Sequence, residues 1–149
     1  MAINLSLIFF ATVTSMDVVS SEKRSLMMSG IKGKDTQPEI AVRKFLHANG
    51  FRFRLHRKDL PGKPDIVLPK MNTCIFVHGC FWHRHNCKKG RHLPKSNIEF
   101  WEEKLGKNKI RDRKNAKALR DLGWQVLTIW ECQTGDDSIM ERMVNNKLC

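Results

Sequence analysis

The order of hydrophobic periodicities predicts an α/β fold with a sheet sandwiched between helices. Three observations carry this: a capped amphipathic stretch before three short β-type runs, a long charged helical stretch after them, and an apolar run followed by an amphipathic stretch at the end. The chain has 149 residues, of which 41% are hydrophobic. That suits one domain with one real core and excludes a wholly disordered chain.

Taken in order, residues 1–16 carry no charge and contain an apolar run from Leu5 to Ala11. The run resembles a secretory core, but no Lys or Arg precedes it and it is too short to span a bilayer. A non-native or disordered extension, with Met16 as the true start, is the expectation. Residues 17–35 are largely polar and basic, with Met27 and Met28 as an adjacent pair of large apolar residues, and are expected to form a mobile arm with room for a short helix. The domain proper is then 36–149. Thr36 and Glu39 have capping-box spacing, Pro38 suits a first turn, Val42, Phe45 and Leu46 give an apolar face, and Asn49-Gly50 ends the helix.

Phe51, Phe53 and Leu55 alternate with Arg52, Arg54 and His56, which predicts a half-buried strand. A Pro/Gly turn at 60–64 leads to a short strand from Asp65 to Leu68. A turn at Met71-Asn72 leads to a buried strand from Thr73 to His78. Residues 79–95 read as a loop. Ser96 and Glu99 form a second capping-box pair, opening a helix to about Leu122 that Gly106 is placed to break and Gly123 to stop. Trp124 to Trp130 is the last strand, and Ile139, Met140, Met143 and Val144 face the core from a final helix. Trp101, Trp124 and Trp130 are expected in the core.

Lys and Arg outnumber Asp and Glu by 27 to 15, a formal net charge of +12. Such a surface attracts polyanions, because phosphate contacts release condensed counterions. Lys88, Lys89, Arg91, Lys107, Lys109, Arg111, Arg113 and Lys114 are candidates to track phosphates, although a solvated helix face explains the later ones equally well. No stretch reads as a transmembrane segment.

The five cysteines are odd in number, and three lie in a His/Cys-rich context, which points to metal ligation in a reducing compartment rather than to disulfides. Cys80, His85 and Cys87 fall within eight residues, and Cys132 follows the last strand. Zinc takes four nitrogen or sulfur ligands in a tetrahedron, so Cys132 would tie the loop to the sheet. The spacing lacks a C-x2-C pair, leaves His83 and His92 as alternative fourth ligands, and is compatible with free thiols. Cys74 reads as a small buried apolar residue and Cys149 as incidental.

A second constellation carries chemistry. Asp65 begins one short strand and Val77-His78 ends the next, which places them close together, with His83 five residues further on. A hard cation such as Mg²⁺ takes oxygen ligands: here a carboxylate, with a carbonyl at Val77. Histidines suit proton transfer near neutral pH. Phe81 and Trp82 are adjacent large aromatics on a loop, which suits either a wedge between base steps or a small core over the loop.

The run Val77-His78-Gly79-Cys80-Phe81-Trp82-His83-Arg84-His85-Asn86-Cys87 is highly specific. It is accompanied by Leu60-Pro61-Gly62-Lys63-Pro64-Asp65, Phe100-Trp101-Glu102-Glu103-Lys104-Leu105-Gly106-Lys107-Asn108, Arg111-Asp112-Arg113, Leu122-Gly123-Trp124 and Trp130-Glu131-Cys132. Together they resemble the very short patch repair (Vsr) DNA mismatch endonucleases over roughly Met16 to Cys132. The resemblance implies a restriction-endonuclease-like fold with a central mixed sheet flanked by helices and a structural zinc. It implies Mg²⁺ on Asp65 and the Val77 carbonyl, with His78 and His83 in acid–base or phosphate-polarising roles. Glu39 would help position metal-bound water as well as cap its helix, and Cys80, His85, Cys87 and Cys132 would hold Zn²⁺. Phe81 and Trp82 would wedge into DNA, joined by Met28 or its neighbour Met27. Val77 stands where the family commonly has Thr, which removes a hydroxyl but not a carbonyl. Arg84 and Asn86 replace positions that are often His.

The implied activity is nicking 5′ of the thymine at a T·G mismatch in double-stranded DNA, the repair of deaminated 5-methylcytosine. The implied setting is bacterial and cytoplasmic, as a DNA-associated monomer linked to a DNA cytosine-5 methyltransferase. Competing readings are a restriction- or homing-type nuclease with another target and a non-catalytic zinc DNA-binding module.

Overall fold

The computed structural model describes residues 20–30 and 33–148. The chain divides into two compact units, residues 1–31 and 32–149. Expectations about residues 1–16 and about Cys149 lie outside the described residues. In the first unit, helix α1 (Ser21–Ser29) lies within the stretch read as an arm. Ser20 Oγ caps it by accepting from the Lys23 N–H at 3.3 Å, and Leu26 and Met27 are exposed on it. The second unit carries the remaining elements.

Helix α2 (Gln37–Ala48) opens on the expected box. Thr36 Oγ1 accepts from the Glu39 N–H at 3.5 Å and donates to Glu39 Oε1 at 3.0 Å. Three strands follow: β1 (Arg54–Leu55), β2 (Ile66–Leu68) and β3 (Thr73–His78). A four-residue helix α3 (Lys88–Arg91) sits in the stretch read as loop. Then come α4 (Ile98–Asp121), β4 (Gln125–Trp130) and α5 (Asp137–Leu148). The sheet is mixed, in the order β1-β2-β3-β4, with β1/β2 and β2/β3 antiparallel and β3/β4 parallel.

Side chains alternate along each strand, and the alternation divides the core in two. Ile66, Leu68, Ile75, Val77, Leu127 and Ile129 pack with Val42 and Leu46 of α2 and Met140 and Val144 of α5. Val67, Cys74 and Phe76 pack with Leu60 and with Leu119 of α4 on the other face. The sheet is therefore covered on both sides, as the α/β order requires. Among the described residues, no helix is long and apolar enough to cross a membrane.

Four local expectations are corrected. The strand at 51–56 contracts to Arg54–Leu55, because β2 offers only three residues between Pro64 and Pro69 and His56 turns away at φ 47°. Phe51 and Phe53 instead pack on the α2-side core. The N-cap of α4 is Asn97 in the left-handed region (φ 53°), not Ser96, since Asn tolerates that conformation and its carbonyl starts the helix by accepting from Trp101 N–H. Gly106 does not break α4: it lies on an exposed face, where its cost is about 1 kcal/mol spread over 24 residues. Trp101 is buried as expected, but Trp124 and Trp130 are only partly so.

Leu46 is fully buried between α2 and the sheet. Leu46→Ala is expected to lower the free energy of unfolding by about 2–5 kcal/mol, read as a shifted urea midpoint with unchanged slope.

Candidate functional site

An open cleft of about 1480 Å³ is lined by the start of α2, the turn at 56–65, the end of β3 with its following loop, and the middle of α4. Glu39, Asp65, Val77, His78 and His83 all line it, as do Trp82 and His85. The antiparallel register, with Ile66 opposite Ile75, brings Asp65 to the end of β3. Its Oδ2 accepts from the Val77 N–H at 2.8 Å. Burial, reinforced by the nearby negative charge of Glu39, raises the Asp65 carboxyl to about 6 despite that hydrogen bond. An acid held this way gains from a cation brought beside it. Its carboxylate, next to a β3 backbone that offers carbonyl oxygen, is a donor set that fits Mg²⁺.

Glu39 is only 3% exposed, yet three donors engage it. Its Oε2 accepts from the Asp35 N–H and from Arg43, both at 2.9 Å, and its Oε1 accepts from Thr36 at 3.0 Å. A carboxylate has roughly four acceptor directions, so about one remains for a water.

His78 ends β3, buried, and stacks on His83 at 3.8 Å with ring planes 8° apart. Burial, with the His83 imidazole beside it, lowers His78 to about 4, so it is neutral at physiological pH. His83 Nδ1 lies 2.5 Å from Asp112 Oδ2 of α4. Burial is the largest single influence and pushes Asp112 upward, but the His83 hydrogen bond and the charges of His83, His78 and Arg111 together outweigh it, and the net shift is downward. An ionised Asp112 fixes the proton on His83 Nδ1 and leaves Nε2 to exchange a proton in the cleft. Asp112 is a site residue that the sequence reading did not single out. The Arg-Asp-Arg motif flagged the segment, but only the docking of α4 shows what the carboxylate does.

Beside the cleft, Cys80, His85, Cys87 and Cys132 converge, with ligand atoms within 4.8 Å of one another. His83 belongs to the other cluster, with His78 and Asp112. His85 Nδ1 lies 3.7 Å from Cys80 Sγ and 3.4 Å from Cys132 Sγ. Three sulfurs and one imidazole are the donor set that zinc takes in closed structural sites. The Gly90 backbone N–H, aided by neighbouring donors, lowers the Cys87 thiol to about 6, while burial raises Cys80 to about 12. Glu131 braces the loop by accepting from the Cys80 N–H at 3.2 Å and from Lys89 at 3.0 Å. His85 also stacks on Trp130 at 4.4 Å.

Phe81 and Trp82 are half-buried and pack edge-on at 5.1 Å, and both lean on buried Trp101 (5.6 and 6.1 Å). They therefore form a small aromatic platform rather than free rings. Met28 lies on α1 in the other unit. Lys88, Lys89 and Arg91 are exposed on α3 and do not themselves line the cleft, although Lys89 pairs with Glu131, which does. The basic lining comes instead from residues such as Lys34, Lys63, Lys109, Arg111 and Arg120. Arg84 also lines the cleft, at φ 53°, with a buried Nη1 that has no hydrogen-bond partner.

A carboxylate, two stacked histidines and a cationic rim around one cleft define the class: a DNA endonuclease. Residues 16–89 match the family model for the DNA mismatch endonuclease Vsr. The chain is 47% identical over 132 residues to the type II nicking enzyme V.XorIIP of Xanthomonas oryzae, covering 89% of this chain and 96% of that protein. It is 48% identical over 129 residues to V.NmeAIP of Neisseria meningitidis (87% and 91%). It is 40% identical over 133 residues to the DNA mismatch endonuclease Vsr of Escherichia coli, covering 85% of each. The chain belongs to the Vsr endonuclease family.

The site makes two predictions. Asp65 titrates higher in the folded chain (about 6) than unfolded (about 3.9), so the folded state binds more protons between these values. Its ionisation therefore costs stability that sets in as pH rises from about 4 to 6 and persists above. In magnesium-free buffer, Asp65→Asn is expected to be more stable than the parent at pH 8, by up to about 3 kcal/mol, with the advantage gone at pH 4. Urea unfolding at the two pH values measures it. Asp112→Asn is expected to lower kcat for DNA nicking by about 100-fold with little change in KM, read in single-turnover and steady-state assays.

Proposed function

We propose that the protein nicks double-stranded DNA at T·G mismatches, hydrolysing the phosphodiester 5′ of the mispaired thymine. The observation that carries this is the convergence of Asp65, Val77, His78 and the His83–Asp112 pair in one basic cleft. The names of the relatives, a mismatch endonuclease and nicking enzymes, support a mismatch target and a single-strand outcome, and the choice of T·G rests on the family resemblance. Asp65 and the Val77 carbonyl would hold Mg²⁺, which supplies charge stabilisation at the phosphate in the transition state.

The chain's own groups do the rest. Glu39, with one acceptor direction left, orients the attacking water. His78 is neutral and buried at the cleft wall, which suits it to accept a proton from a group brought against it. His83 is held by Asp112 with Nε2 free, which suits it to hydrogen-bond the phosphate or to return a proton to the leaving oxygen. The net change is water added across one P–O bond. The Cys80, His85, Cys87 and Cys132 set would hold a structural zinc that fixes the loop between His78 and the aromatic platform. Phe81 and Trp82, with Met28, would wedge at the mismatch, where unstacking costs least. The protein would act as a cytoplasmic monomer in a bacterium that carries a DNA cytosine-5 methyltransferase, whose product it protects.

The test is strand-specific nicking of a labelled T·G duplex in Mg²⁺, beside a matched T·A duplex and Asp65→Ala. Nicking confined to the T strand and absent in the variant is expected. Equal cleavage of the matched duplex would move the reading to a nuclease with another target. No cleavage of a T·G panel with varied flanks, by zinc-containing protein, would leave a binding module.

A further inference from the structure

At the mouth of the cleft, Asp35, Glu39 and His56 bring three ligand atoms within 4.8 Å of one another. Such a group beside Asp65 offers a second place for a divalent cation. Instead, a guanidinium sits there. Arg43, one turn after Glu39 on α2, reaches Asp35 Oδ1 at 2.7 Å, Glu39 Oε2 at 2.9 Å and His56 Nε2 at 2.9 Å. Its side chain is only 15% exposed, so solvent screens these contacts weakly. The same His56 Nε2 lies 3.6 Å from Asp35 Oδ1 and 3.8 Å from Glu39 Oε2, so the guanidinium sits among all three groups. His56 is tied in turn to the metal-facing acid, its backbone N–H donating to the Asp65 carbonyl at 3.2 Å.

We propose that Arg43 is a positioning residue for the reaction: its guanidinium is the built-in counter-cation of Glu39, filling the Asp35–Glu39–His56 site so that a divalent cation enters the cleft at Asp65 alone. The proposal deepens the magnesium-dependent reading above and rests on it for the role of Glu39. Three properties follow from the geometry. Glu39 is held in one place, because one of its oxygens is shared by Arg43 and the Asp35 N–H. The spare acceptor direction falls on the other oxygen, the one bound by Thr36. And a second metal is excluded by charge, since Arg43 already satisfies all three ligands. Arg was not flagged by the sequence, because an exposed-looking Glu-to-Arg pair at i,i+4 reads as an ordinary surface ion pair on a helix.

The experiment titrates zinc-loaded, full-length protein with Mn²⁺ alone and counts bound metal by electron paramagnetic resonance. Arg43→Met is expected to bind one more Mn²⁺ per chain than the parent, and the extra ion is expected to vanish when Asp35→Asn is added. Arg43→Gln, which keeps an N–H donor for Glu39 but not the charge, makes the same prediction if the Met variant does not fold. Equal metal counts in parent and folded neutral variant would overturn the proposal. On the T·G duplex, Arg43→Met is expected to lose about 10- to 100-fold in kcat with KM changed little, and Arg43→Lys to recover part of it. An unchanged kcat in the folded variant would also overturn it. If the parent does not nick the T·G duplex, the mismatch reading fails, while the Mn²⁺ count still decides the role of Arg43.

Discussion

The parallel pairing of β3 with β4 is the constraint on which the rest of the molecule depends. It sets His78 opposite Trp130 and so ends both strands at the same edge of the sheet. The loop leaving β3 and the turn leaving β4 then emerge side by side. Cys80 and Cys132 meet for that reason, although 52 positions separate them in sequence. Parallel strands also need a long crossover, and α4 is that crossover. Docked on the sheet through Leu119, it carries Asp112 to His83 and Trp101 to the aromatic pair. One pairing thus builds the Cys/His cluster, the His–Asp dyad and the aromatic platform together.

The cleft is governed by a balance of charge in a half-buried space. Asp65 is raised because burial and Glu39 both oppose its ionisation. Glu39 is tolerated because backbone and side-chain donors surround it. His78 is held neutral, and its stacked neighbour is the one that faces a carboxylate. Adjacent imidazoles are thereby given different roles by their surroundings, as catalytic acids and bases require. The cationic rim works at longer range, drawing in the DNA backbone that supplies the reacting phosphate.

The Cys80–Cys87 loop shows how small residues permit this crowding. A Cβ at Gly90 would lie 2.0 Å from the His85 carbonyl, and one at Gly79 would lie 3.2 Å from the Trp82 ring. The loop can fold back on itself only where side chains are absent. Glu131 then closes it by bonding the Cys80 N–H and Lys89 at once. Lys89 is thereby part of the loop's bracing while its side chain stays exposed.

The α/β order, the Thr36–Glu39 box, the extent of β3 and the Asp65–Val77–His78 neighbourhood were legible in the sequence, because each depends on local periodicity, capping or a short hairpin. The Cys80, His85 and Cys87 trio was legible from spacing, and the Vsr resemblance from the motif between them. What the sequence could not decide lies in contacts between distant elements. Whether His83, His92 or Cys132 joined the cysteines depended on strand order. Asp112 and Arg43 looked like ordinary helix charges until α4 and the turn at His56 gave them partners. The strand at 51–56 and the cap at Ser96 failed for a related reason: a strand needs a neighbour of equal length, and a cap needs the backbone conformation that Asn97 took instead. Local chemistry fixed the elements and the candidate residues. Tertiary packing decided which of those residues face one another, because a side chain's role is set by the charges and donors the fold brings within a few ångströms of it.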